Sequence, residues 1–122
     1  MSIWTQVVGA IDIDTYDYYC VDKLEEFFGG QEPFFDSEGS PIQFFVNKLE
    51  GFNVYGRNEN GDYEYQTRCV VSVVASLRDT TVEDVNKYLD NVIKEAQEKF
   101  GLRHYCIRLK DSYDEVVIRG GF

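Results

Sequence analysis

Positive charge is what this sequence has least of. Its 122 residues carry 12 Lys and Arg against 22 Asp and Glu, a formal net charge of −10. The imbalance is concentrated: the first 61 residues hold eleven acids and three bases, net −8, and the second 61 hold eleven and nine, net −2. Nucleic acids and anionic lipid surfaces are held by clustered cations, so this balance argues against both as partners and favours a basic one. Cysteine is sparse as well. Cys20, Cys69 and Cys106 are an odd set with wide spacings, which suits a reduced chain better than a disulfide framework. No apolar run approaches the roughly 18 residues of a membrane span. The start, MSIWTQVVGAIDID, lacks the basic segment, apolar stretch and cleavage site of a secretory leader. Cytoplasm is the expected location.

Catalytic vocabulary is thin too. The chain has one histidine, His104, and no GxGxxG, Walker, HExxH, GxSxG or CxxC motif. Strand alternation sets His104 beside Cys106 and Arg108 on one face, but two residues on one strand supply only half of a zinc site. Asp12 and Asp14 put two carboxylates on one face at a strand end, where metal sites and acid–base dyads occur. A third ligand is missing, and the plainer reading is a solvated strand end leading into a helix cap. The NENGD cluster at 58–62 shares residue types with calcium loops but has neither their length nor their closing Glu. No metal, cofactor or catalytic residue is expected.

What is present is a pattern of short elements in one domain, residues 1–122, long enough for a single core. Residues Ile3 to Ile13 read as a strand, with Val7, Ile11 and Ile13 on one face and Trp4, Val8 and Ala10 on the other. A helix is predicted from Thr15 to Phe28, its apolar positions at helical spacing and its end marked by Gly29 and Gly30. The segment 42–49, IQFFVNKL, is short and ambiguous. NENGD reads as a hairpin turn, and the strand beyond it alternates Cys69, Val71, Val73 and Ala75 with outward residues. Thr80 and Glu83 form a capping box ahead of a second helix, with Val82, Val85, Leu89, Val92, Ile93, Ala96 and Phe100 as its apolar stripe. Two further strands close the chain. The predicted architecture is α+β and ferredoxin-like: two helices on one face of an antiparallel sheet of four to five strands.

One stretch stands out. From Asp12 to Glu38 there are nine carboxylates, one lysine (Lys23) and seven aromatic rings. The first helix accounts for Phe27 and Phe28 as core residues. Tyr18 falls off its apolar stripe, and Phe34 and Phe35 lie in a Gly/Pro-flanked loop. These three rings, framed by Asp17, Asp22, Glu25, Glu26, Glu32, Asp36 and Glu38, are the expected partner surface. Aromatic anchors supply much of an interface's energy, and carboxylates steer a basic partner toward it.

The opening W-x-x-V-x-G-x-I-x-I-D, from Trp4 to Asp14, resembles the start of small bacteriophage accessory proteins. Such proteins often look like inhibitors of host defence, including anti-CRISPR proteins. The resemblance implies a non-enzymatic inhibitor, monomer or homodimer. It would act in the host cytoplasm by direct protein–protein interaction with a larger host protein, for instance one with a basic groove. The alternative is a small-ligand-binding or regulatory domain that dimerises through its sheet. A small hydrolase using Asp12 and Asp14 is a third reading.

Overall fold

A computed structural model describes residues 3–13, 21–57 and 60–121; over 50–57 and 64–68 it gives only the course of the strands. The elements run β1 (Trp4–Ile13), α1 (Val21–Gly29), β2 (Gln43–Arg57), β3 (Tyr63–Arg78), α2 (Val82–Lys99), β4 (Leu102–Lys110) and β5 (Glu115–Gly121). The strands form one sheet in the order β2-β3-β1-β4-β5, antiparallel at every pairing. The α+β, ferredoxin-like plan is observed: β1 lies between β3 and β4, two helices pack on the sheet, and β5 extends one edge. The ambiguous segment is a strand, because β3 supplies it with a ladder that pairs Phe44 with Val73 and Val46 with Val71.

Period-2 alternation decides which face is buried. Val7 and Ile11 of β1, Cys69, Val71, Val73 and Leu77 of β3, and Ile107 and Leu109 of β4 are all inaccessible to solvent. They form one cluster with Leu24, Phe27 and Phe28 of α1 and with Val85, Leu89, Val92 and Ala96 of α2. Val8, Val74 and Phe45 point the other way and are exposed. Gly9 sits in the inner row between Val73 and Ile107. A Cβ there would stand 2.5 Å from the Ile107 Cα, so the β1–β4 approach at this point requires glycine.

Helix α2 starts one residue later than the predicted cap. Thr81, with extended backbone, accepts the Asp84 N–H on its hydroxyl at 3.3 Å. Thr80 is buried instead, and its carbonyl accepts the Thr5 hydroxyl at 2.5 Å. The Thr80 hydroxyl, which the capping box would have used, donates to the Arg78 carbonyl at 3.1 Å instead. The predicted beginning of the first helix, from Thr15 to residue 20, lies outside the described residues, as do Asp14 and Cys20. Among the described residues no helix is long and apolar enough to cross a membrane.

Candidate functional site

Helix α1 is short, and it carries two consecutive aromatic residues near its end. Successive helical side chains diverge by about 100°, so Phe27 and Phe28 serve different neighbours. Phe27 meets Phe100 edge-on at 5.4 Å between centroids. Phe28 meets Phe44 of β2 at 5.3 Å with planes tilted by 35°. A cleft therefore opens on each side of the end of α1, and Gln31 lines both.

The Phe28 side is a cleft of about 440 Å³ between α1, the loop after it, and β2, with Glu25, Phe28, Gln31, Phe44 and Tyr88 among its walls. Phe28 is buried and Phe44 is half-buried, so Phe44 offers the accessible ring. Strand β2 is the edge of the sheet. Its ladder to β3 uses one side of the backbone, and alternate N–H and C=O groups on the other side face outward, as at any sheet edge. The Gln31 amide nitrogen donates to the Phe27 carbonyl at 3.1 Å, which holds that side chain against the helix end. The Tyr88 hydroxyl donates to the Glu32 carbonyl at 2.8 Å. Burial, and then the nearby Glu32 charge, push the Tyr88 phenol above its ordinary range, so it stays protonated as a donor. A flat aromatic ligand could lie on Phe44 and meet polar groups at its edge.

The loop that forms one wall is tied down. Asp36 accepts N–H groups from Glu38 at 2.9 Å and Ser40 at 2.8 Å on one oxygen, and from Arg78 at 2.8 Å on the other. These bonds, the Arg78 amide foremost, hold its carboxyl below the usual range. Glu38 pairs with the Arg78 guanidinium, and the Ser37 hydroxyl donates to the Arg78 carbonyl at 3.3 Å.

The sequence-predicted partner residues that the structure describes take different local roles. Asp17 and Tyr18 lie outside the described residues. Asp22, Glu25, Glu26 and Glu32 are exposed, but Asp36 and Glu38 serve the loop closure. Phe34 is half-buried, packed against the core and 5.5 Å from the Tyr88 ring, whereas Phe35 is 56% exposed. The two adjacent rings thus part company. Phe44, which sequence reading missed, lines the cleft beside Phe28; its only signal was a pair of phenylalanines in an ambiguous apolar segment. Asp12, expected as a solvated strand end, is buried, with a carboxylate oxygen 3.5 Å from the His104 Nδ1.

No protein family matches this sequence, and no curated protein does. In three dimensions the chain is similar to a phage SAM lyase solved in complex with S-methyl-5'-thioadenosine. The identity is 13%, with 98% of this chain and 90% of that chain covered, at a TM-score of 0.48. At this identity the likeness is one of fold. That protein is an enzyme solved with a small nucleoside-type molecule, a different kind of protein from the inhibitor expected from composition. The expectations of a non-enzymatic, anti-CRISPR-like inhibitor, of protein–protein interaction as its mode of action, and of a larger host protein as partner are withdrawn. The physical reason lies in the loop, where two of the acids thought to face a partner are spent on the chain's own backbone and guanidinium.

Proposed function

We propose that this protein is a small-ligand domain that takes a nucleoside-type molecule in the cleft between α1 and β2. The observation that carries this reading is the Phe28–Phe44 pair at 5.3 Å on a cleft of about 440 Å³ running along an edge strand. Ligand pockets combine apolar and aromatic walls with a few polar groups that fix orientation. Here Phe44 supplies a face for a base, and the strand edge and Gln31 supply hydrogen-bonding groups. The Glu25 carboxylate suits ribose hydroxyls. In this reading the chain is a phage-type accessory protein that acts through a small molecule, as a relative in kind of the phage SAM lyase. S-methyl-5'-thioadenosine and adenosine are the first ligands to test, and breakdown of SAM is the first reaction to assay.

The test is titration of the protein with S-methyl-5'-thioadenosine and adenosine, followed by amide chemical shifts and calorimetry. Saturable shifts at residues 43–47 are expected. Phe44→Ala should weaken binding by about 1–3 kcal/mol, the usual worth of one base–aromatic stack. If neither ligand perturbs the cleft, or if Phe44→Ala binds as tightly as the parent, the reading fails.

A further inference from the structure

The far edge of the sheet carries a self-complementary strand. Strand β5 is the last in the order β2-β3-β1-β4-β5, and its ladder to β4 pairs residues 104–110 with 115–121 without a register shift. The other edge strand, β2, has a register shift between Lys48 and Asn53. Proteins blunt an exposed edge with a bulge, a proline or a lysine. Strand β5, with the sequence EVVIRGG, has none of these. The hairpin fixes which of its backbone groups point outward. The Asp111 N–H donates to the Asp114 carbonyl at 3.0 Å, and bonded and non-bonded pairs alternate from there along an antiparallel ladder. Val116, Ile118 and Gly120 thus bond to β4. Glu115, Val117 and Arg119 turn their N–H and C=O groups to the outer edge, where no other described strand pairs with them.

From this edge we propose that β5 pairs antiparallel with β5 of a second copy of the chain, about a two-fold axis at Val117. In that register Val117 faces the second copy's Val117, Glu115 faces its Arg119, and Arg119 faces its Glu115. Each of these is a pair that exchanges both N–H···O bonds, so the outward backbone groups of residues 115–119 are all satisfied. The side chains agree. Glu115, Val117 and Arg119 share one face of the strand, and opposite charges directly across a ladder attract. On the other face the half-buried Val116 falls opposite the buried Ile118. Other registers do worse: an axis at Glu115 or Arg119 opposes like charges, and one at Val116 or Ile118 leaves both charges without a charged residue opposite. Glu115 already accepts the Arg108 Nε–H on Oε1 at 2.8 Å, and a carboxylate can take a second guanidinium on its other oxygen. The pairing uses up the edge, so the assembly closes at two copies. It lies at the opposite end of the sheet from β2 and does not rest on the nucleoside reading.

The test is sedimentation equilibrium of the full-length protein across concentration, with a thermal melt for every variant. Salt at about 0.15 M screens the repulsion between copies beyond roughly 8 Å, which matters for a chain of net charge −10. A reversible monomer–dimer equilibrium is expected, since a contact this short is at the small end of specific interfaces. Glu115→Arg and Arg119→Glu each set like charges across the ladder at both ends of the contact, and each should weaken the dimer roughly tenfold. An equimolar mixture of the two variants should regain the parent's affinity, because each mismatched strand is the other's complement. Loss of the Arg108–Glu115 pair within one copy does not predict that rescue. Val117→Pro removes an outward N–H that the monomer does not use, a position where an edge strand tolerates proline; it should abolish the dimer and leave the melt unchanged. Should Val117→Pro melt early, the charge-swapped mixture decides. A monomer at every concentration up to about 1 mM, a mixture that associates no more tightly than its components, or a dimer unmoved by Val117→Pro overturns the proposal. So does growth into open polymers, which would mean that β5 pairs with β2 of the next copy.

Discussion

The carboxylate of Asp36 accepts the backbone N–H of Arg78 at 2.8 Å across 42 residues of chain. That bond fastens the loop after α1 to the end of β3, and the N–H groups of Glu38 and Ser40 share the same carboxylate. All three favour the ionised form, and the Asp36 pKa lies below its ordinary value. A carboxyl depressed by folding contributes stability above its unfolded pKa, near 3.9, and loses it as pH falls through the lower folded value. Asp36→Asn should therefore melt at a lower temperature than the parent at pH 7. The gap should narrow on acidification below about pH 4 and close once the parent's carboxyl is protonated. Parallel melts across pH 2–7 check this; a gap independent of pH would show that the carboxylate charge is not what holds the loop.

Gly9 tests the packing of the sheet centre. An added methyl would meet the Ile107 Cα and the Cys106 carbonyl oxygen, each at 2.5 Å, and these are backbone atoms that cannot rotate aside. Gly9→Ala should cost about 1–3 kcal/mol, the usual range for overpacking, measured by denaturant unfolding. Ala at Gly39, where nothing lies within 4 Å, meets no such contact. Its cost comes only from φ +83, which L-residues rarely adopt.

Two adjacent threonines should respond differently. Thr81 caps α2 through its hydroxyl, so Thr81→Ala should lose about 1 kcal/mol. Thr80 serves β1 through its carbonyl and the end of β3 through its hydroxyl, which donates to the Arg78 carbonyl. Thr5→Val removes the buried donor to the Thr80 carbonyl at nearly constant shape. It should destabilise the protein through an unsatisfied acceptor, by about 1–3 kcal/mol. Chemical denaturation of the two variants checks the assignment.

These contrasts mark what the sequence could reveal. The alternation in β1 and β3 and the 3.6-residue stripe of α2 were legible because one face of each is buried in the core. The one-residue slip at the α2 cap was not legible: either threonine can cap, and only in the fold does the Thr80 hydroxyl turn to the Arg78 carbonyl while its own carbonyl meets Thr5, 75 residues away in sequence. Phe44 and Phe45 are chemically identical, and only the ladder to β3 sets which of them faces α1. Acid density from Asp12 to Glu38 was visible, but its use was not. Asp36 turns its charge inward to backbone amides, and no composition or period announces that.

Phe34 and Phe35 give the sharpest test of how the loop is used. Phe34 packs against the core and lies 5.5 Å from Tyr88, and its carbonyl accepts the Ile42 N–H at 3.1 Å, which closes the loop. Phe35, with 56% of its surface exposed, holds its place through a backbone bridge to Pro41 that does not need the ring. Phe34→Ala should therefore cost about 2 kcal/mol, less than a fully buried phenylalanine because its ring is only half covered. Phe35→Ala should stay within about 0.5 kcal/mol of the parent. Tyr88→Phe keeps the contact with Phe34 but loses the hydrogen bond to the Glu32 carbonyl, for about 1 kcal/mol. Urea unfolding of the three variants, with m-values compared, decides the matter. Equal losses at Phe34 and Phe35 would mean that the two rings share one environment, and the division between a packed ring and an exposed one would be wrong.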